Sequence, residues 1–256
     1  MQALLYNLSF PPRRREFKKE NGLGVHQNLI AIHQKMREYE DLYSRPSGSV
    51  HLLGASKDQP MERVKAAIAA GQRIFGENYV QEALPKITMF ANENLEWHFI
   101  GSIQSNKTKK IAEHFDWVQT VSNEHIATRL SEQRPLHLPP LNICIEVNIS
   151  HEASKSGIDA TNLLSLAEFC SKLPQLKLRG LMAVPEHKDS LNEQRIEFHK
   201  LRVLFDELNE KGFNLDTLSM GMSNDMEAAI AEGSTMIRIG TAFFGQREKN
   251  SITPQK

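Results

Sequence analysis

The chain has 256 residues, 31 Lys and Arg against 31 Asp and Glu, with 40% hydrophobic and 24% charged residues, and an isoelectric point near 7.2. That balance excludes a basic nucleic-acid clamp as the default reading, and no apolar stretch approaches the roughly 18–20 residues of a membrane helix. Cys144 and Cys170 sit in apolar runs and read as buried thiols, not a disulfide framework or zinc site, so the expectation is a soluble, cytoplasmic globular protein.

Residues 1–23 read as a poorly ordered extension. Their apolar patch is followed, not preceded, by Arg13, Arg14 and Arg15, the reverse of a secretory signal. Pro11, Pro12 and the charges after them fit an unpacked segment. Over 28–43, Leu29, Ile32, His33, Met36 and Tyr39 fall on one stripe and predict an opening helix. Pro46 and Gly48 break it. A strand over 50–56 and a helix over 60–70 follow, the helix ending at Gly71. Residues 73–76 read as a strand and 77–86 as a helix. Residues 97–101 form a third strand, and Ser105 is placed to cap a helix reaching about His114. Residues 116–121 and a helix from Asn123 make the fourth step.

The second half repeats the scheme. Strands are predicted over 142–148, 178–184, 217–220 and 235–239. Helices follow them, ending at Leu173, over 191–211 and over 225–232, and a short turn comes last. Eight strand-then-helix steps behind one introductory helix imply parallel strands joined by crossovers. Eight steps in this length fit a single closed α/β (β/α)8 TIM barrel, for which about 250 residues is typical. An open doubly wound sheet is the alternative. It would normally carry a glycine-rich fingerprint after the first strand, where this chain has Gly54-Ala55-Ser56-Lys57-Asp58.

In such a barrel the chemistry sits at the C-terminal ends of the strands. Lys57 closes an otherwise apolar first strand. Desolvating an ammonium there is costly, which favours the neutral, nucleophilic amine; a lysine snorkelling at the rim is the competing reading. After strands seven and eight come two small-residue turns, Gly221-Met222-Ser223-Asn224 and Gly240-Thr241-Ala242, each opening a helix. Their backbone N–H groups suit a phosphate, whereas plain helix capping by Ser223 would explain them without a ligand. Asp225 and Glu227 would repel an anion, so such a site relies on N–H geometry. Taken together, these features imply an aldehyde that forms an imine with Lys57 and carries a phosphate, a description that pyridoxal 5′-phosphate meets.

Several segments taken together identify a resemblance. They include Leu52-Leu53-Gly54-Ala55-Ser56-Lys57, Phe75-Gly76-Glu77-Asn78-Tyr79, Trp97-His98-Phe99-Ile100-Gly101, Gln104-Ser105-Asn106-Lys107 and Val147-Asn148-Ile149-Ser150. Gly180-Leu181-Met182-Ala183-Val184-Pro185 and the stretches 218–226 and 238–245 complete the set. In this order and spacing they resemble the pyridoxal-phosphate homeostasis protein family, whose fold is the barrel domain of alanine racemase standing alone. The resemblance implies a pyridoxal 5′-phosphate-binding barrel over 24–248, with an extra N-terminal helix and a tail over 249–256. It implies that Lys57 is the Schiff-base lysine and that Asn78 lies beside the cofactor. Arg238 would face the pyridine nitrogen, and Ser223, Gly240 and Thr241 would hold the phosphate with help from the backbone of Met222. This chain departs from the family pattern at Asp58-Gln59-Pro60, where a threonine and lysine are usual, and at Ser102, where proline is usual. Neither change removes an implied ligand.

A guanidinium only donates and stays charged, so a nitrogen facing Arg238 remains unprotonated and the cofactor is a weaker electron sink. The resembled racemases share that arginine but also need a tyrosine base from a second domain and a dimer partner. Too few residues follow Phe244 for such a domain, and of Tyr6, Tyr39, Tyr43 and Tyr79 only Tyr79 stands at a strand end. The expectation is a monomeric, non-enzymatic regulator that buffers pyridoxal 5′-phosphate or delivers it to dependent apo-enzymes, without nucleic-acid or membrane partners. A slow amino-acid racemase and a barrel binding a phosphorylated metabolite without a covalent link remain as alternatives. Lys107, Lys109 and Lys110 read as a solvated face, His151-Glu152 lacks a second zinc-spaced histidine, and His98 either packs or reaches the cofactor.

Overall fold

A computed structural model describes residues 24–150 and 156–246. The expected extension over 1–23, the tail over 249–256, Tyr6 and the His151-Glu152 pair lie outside the described residues. Eight strands run parallel in chain order: β1 (His51–Ala55), β2 (Ile74–Glu77), β3 (Glu96–Phe99), β4 (Trp117–Val121), β5 (Leu141–Glu146), β6 (Leu176–Met182), β7 (Thr217–Ser219) and β8 (Met236–Ile239). They close into a barrel. β8 pairs with β1 at His51–Met236, Leu52–Ile237, Leu53–Arg238 and Gly54–Ile239. That pairing leaves no open edge and excludes the doubly wound sheet.

The surrounding helices are α1 (Val25–Leu42), α2 (Met61–Ala69), α3 (Val80–Met89), α4 (Thr108–His114), α5 (Glu124–Gln133), α6 (Leu163–Ser171), α7 (Leu191–Glu210), α8 (Met226–Ala231) and α9 (Thr241–Phe244). Strands covered by helices are buried on both faces and read as continuous apolar runs; every residue of β4 is buried. The main core, between strands and helices, includes Phe75, Phe99, Ile111, Phe115, Ile143 and Phe198.

The introductory helix has a structural reason. Among the described residues the helix that follows β8, α9, has four residues, too short to cover that side of the barrel. α1 lies against α2, α8 and α9 and buries Leu29, Ile32, Met36 and Glu40. Asn28 Nδ2 donates to Phe243 O at 2.9 Å. The Glu40 carboxylate accepts from the N–H groups of Gly48 and Val50 at 2.9 and 2.8 Å, tying the helix to the turn that enters β1.

Two local expectations are corrected. Glu77 belongs to β2, not to the following helix, and α3 starts only at Val80. The reason is an ion pair: the fully buried Glu77 carboxylate receives Lys86 Nζ at 2.7 Å. Ser105 does not cap an α-helix by its side chain. It opens a single 3₁₀ turn over Ser105–Lys107, and its carbonyl accepts from Thr108 Oγ1 at 2.9 Å. Both cysteines are free and buried; burial pushes each thiol up to about 12.

Candidate functional site

The turn after β1 is built on buried polar contacts. Ser56 N donates to Gly76 O at 2.9 Å, and Ser56 Oγ donates to Glu77 Oε1 at 2.5 Å. Lys86 Nζ donates to Ser56 O at 2.7 Å, and Asp58 takes a left-handed φ of 57°. These bonds fix the backbone on either side of Lys57. The Lys57 side chain is half-buried and has no hydrogen-bond or ion-pair partner among the described residues. Thus one lysine of this corner, Lys86, is consumed by structure and the other is left available. Burial raises the Glu77 carboxyl, an effect that Lys86 opposes.

Asn78 sits at the end of β2, where the chain is pressed against the end of β3. A Cβ on Gly101 would fall 2.2 Å from Asn78 O, a distance no side chain tolerates, so glycine at 101 permits this approach. Asn78 Oδ1 is buried without a hydrogen-bond partner. A buried acceptor left unpaired costs free energy, and a ligand donor would satisfy it.

Arg238 is buried on β8. Its Nη1 donates to Ser219 O and Ser219 Oγ, both at 2.7 Å, and Nη2 donates to Ala183 O at 3.0 Å. Of its five N–H donors, Nε–H and one on Nη2 make no hydrogen bond among the described residues. Burial lowers the Arg238 pKa from its ordinary value, while the Asp225 and Glu146 carboxylates pull it back up.

The two small-residue turns lie at the same mouth. Gly221 has a φ of 101°, and a Cβ there would meet Ala229 Cβ at 2.5 Å, so glycine is needed to turn from β7 toward α8. The helix cap is Asp225, not Ser223. The Asp225 carboxylate accepts from Met222 N–H at 2.5 Å, and Glu227 accepts from Tyr43 Oη at 3.0 Å. Of the two carboxylates expected to repel an anion, Glu227 is therefore turned toward α1, whereas that of Asp225 stays within the turn on the Met222 N–H. Among the described residues the hydroxyls of Ser223 and Thr241 make no hydrogen bond, and the N–H groups of Ser223, Asn224, Gly240 and Thr241 donate to no backbone carbonyl. One expectation needs correction: the Met222 N–H is not available, because Asp225 holds it. The Met222 side chain is exposed at the rim.

Among the tyrosines, Tyr79 is 56% exposed at the N-terminus of α3, and so does not pack that helix inward. Tyr39 lies on α1 and Tyr43 caps its C-terminus. His98 packs: its ring is fully buried and stacked on Trp117 at 5.0 Å. Lys109 is solvated and pairs with Glu113 at 3.9 Å. The sequence reading missed Glu77, Lys86 and Ser219, which hold the site residues in place. The nine-residue interval from Glu77 to Lys86, crossing from a strand end into a helix, was the available signal for the first two.

An amine without a partner, an orphaned buried acceptor, a buried cation with spare donors and two turns with free N–H groups all lie at the C-terminal mouth of one parallel barrel. Together they define a barrel suited to a phosphorylated carbonyl compound. Residues 29–248 match the alanine racemase N-terminal domain family, and the chain belongs to that family. Among its relatives, the pyridoxal phosphate homeostasis protein of Vibrio cholerae is 52% identical over 229 residues, covering 88% of this chain and 97% of that one. The protein of the same name from Pseudomonas aeruginosa is 53% identical over 224 residues, with 88% and 96% covered. The structure of PipY from Synechococcus elongatus with pyridoxal phosphate bound aligns with a TM-score of 0.75 at 34% identity, over 86% of this chain and all of that one.

Proposed function

We propose that this protein holds pyridoxal 5′-phosphate on Lys57 and serves to buffer the cofactor or deliver it to dependent apo-enzymes, acting as a cytoplasmic monomer without robust turnover of its own. The observation that carries the reading is the set of unused hydrogen-bonding groups at one barrel mouth, in a chain about half identical to proteins named for pyridoxal phosphate homeostasis. The residues fit the group. Lys57 supplies the amine that captures the aldehyde, and Asn78 Oδ1 supplies an acceptor for a ligand hydroxyl. Ser223, Gly240 and Thr241 offer hydroxyls and N–H groups for a phosphate at the ends of β7 and β8. Met222 frames the rim with its side chain.

When bound, the cofactor supplies a reactive carbonyl and an electron-accepting pyridine ring. Arg238 limits the second property, because a donor-only cation leaves the ring nitrogen unprotonated. Among the described residues, the exposed Tyr79 and the tyrosines on and at the end of α1, outside the barrel, offer no buried proton carrier for the opposite face of a bound amino acid. That favours a holder over a racemase, whose structural likeness to this chain is a likeness of fold.

The test is spectroscopic. Protein loaded with pyridoxal 5′-phosphate is expected to absorb in the visible, and Lys57→Ala to lose that band and the borohydride-reducible adduct. An adduct of unchanged yield in Lys57→Ala contradicts the assignment. Exchange of the α-hydrogen of an amino acid with deuterium at ordinary enzyme rates, roughly 10 per second, would overturn the holder reading.

A further inference from the structure

The interior of a small barrel is filled by side chains from alternate strand positions, and here one row is polar. Glu96 and His98 on β3, Gln119 on β4, Ser219 on β7 and Arg238 on β8 form an unbroken file. His98 Nε2 lies 2.7 Å from Glu96 Oε1, and His98 Nδ1 lies 2.8 Å from Gln119 Nε2. Ser219 Oγ donates to Gln119 Oε1 at 2.5 Å, and Arg238 Nη1 donates to Ser219 Oγ at 2.7 Å. His98, Gln119 and Ser219 are fully buried.

The donor and acceptor inventory fixes the direction of every bond. Arg238 has only donors, so Ser219 Oγ accepts from it and passes its own hydrogen to Gln119 Oε1. The Gln119 amide then presents its N–H₂ to His98, whose Nδ1 must accept, leaving the ring hydrogen on Nε2 to face the Glu96 carboxylate. The second amide hydrogen faces Met236 Sδ at 3.1 Å, a weak acceptor. Turning the amide over would set its oxygen against that sulfur and require a hydrogen on Nδ1, so that only a charged imidazole could still donate to Glu96. Burial lowers the pKa of His98, against Glu96 and Asp116, which raise it; the neutral ring agrees with the directed file. At the far end, burial opposes it, yet the bond from His98 holds the Glu96 carboxyl below its ordinary value. Glu96 lines a cavity of about 410 Å³ at the N-terminal mouth with His51, Trp117 and Arg179.

A file that starts on a cation, ends on an anion and never reverses is polarised in one sense, and hydrogen bonds in such a chain strengthen one another. We propose that Gln119 and His98 are positioning residues, which, through Ser219 and anchored on Glu96, hold the Arg238 guanidinium in the orientation that donates to the pyridine nitrogen of the bound cofactor. This rests on the cofactor reading above. On this reading each residue acts through the arginine.

The test has two arms. In the unloaded protein at neutral pH, the ¹⁵N shifts of the His98 ring are expected to show hydrogen on Nε2 and an accepting Nδ1; hydrogen on Nδ1 overturns the proposal. In the loaded protein, ¹⁵N-labelled pyridoxal 5′-phosphate reports the donor at its ring nitrogen. Gln119→Met, which cuts the file at similar volume, is expected to move that shift toward the value of a free pyridine and weaken binding roughly tenfold, the effect of one good buried hydrogen bond. Gln119→Glu, which keeps an acceptor for Ser219 but offers no hydrogen to His98 Nδ1, is expected to fall between Gln119→Met and the parent. A folded Gln119→Met with the parent shift and affinity within twofold overturns the proposal. Should Gln119→Met fail to fold, Ser219→Ala cuts the next link and is read the same way, and the tautomer arm decides if neither folds. A borohydride label on Lys57 with no change in ring-nitrogen shift sinks only this inference. No label on Lys57 in the parent sinks the cofactor reading, while the tautomer arm still judges the file.

Discussion

Glu77 illustrates how one buried residue supports the backbone beside another, Lys57, to which the proposed chemistry is assigned. Its Oε1 takes both Lys86 Nζ and Ser56 Oγ, and those contacts hold the turn from which Lys57 projects. Removing one partner of a buried pair leaves an uncompensated charge, which typically costs about 3–5 kcal/mol. Glu77→Ala is therefore expected to lose stability of that order in urea unfolding and to bind pyridoxal 5′-phosphate more weakly; a loss below about 1 kcal/mol contradicts the role. His98 makes a prediction of opposite chemistry. Its burial lowers the folded-state pKa below the ordinary 6.5, so the unfolded chain binds the proton more readily. Stability is then full above about pH 6.5 and falls as the pH drops below it, by up to about 1.4 kcal/mol per unit for that one proton. Glu96 and Asp116 face the ring and temper the effect. A urea midpoint that stays flat from pH 7 to 5 contradicts it.

At the scale of elements, the ends of β2 and β3 fix Asn78 through the backbone approach at Gly101. Gly101→Val must push those strand ends apart, and the expected result is a lower melting temperature with at least severalfold weaker cofactor binding. Unchanged binding would show that Asn78 is not held by this contact. The same region marks what the sequence allowed a reader to see. The alternation of apolar runs with helical stripes made all eight steps legible, because each strand buried on both faces writes a continuous apolar run. The boundary after Gly76 is not legible in the sequence: Glu77 looks like the first turn of a helix until Lys86 is known to reach it. The role of Ser105 was misjudged for a similar reason, since 3₁₀ and α starts carry the same residues. Lys57 and the two small-residue turns stand out in the sequence because they fall at strand ends; Arg238 stands out only through the resemblance. The polar file does not, because Glu96, His98, Gln119, Ser219 and Arg238 become neighbours only across four strands.

For the whole molecule, closure is the decisive fact. Pairing of β8 with β1 sets Leu53 beside Arg238 and so brings the strand that leads to Lys57 next to the one that carries the guanidinium and leads to Gly240 and Thr241. α1 completes the wall where α9 is too short to do so. Among the described residues no helix is long and apolar enough to cross a membrane. The central claim is that one amine, Lys57, captures the aldehyde at this mouth while Lys86 stays bound to Glu77. It is tested most directly by loading the protein with pyridoxal 5′-phosphate, reducing with borohydride and mapping the label by peptide mass spectrometry. The account predicts a single stoichiometric label on Lys57; a label on Lys86 or another lysine, or none, contradicts it.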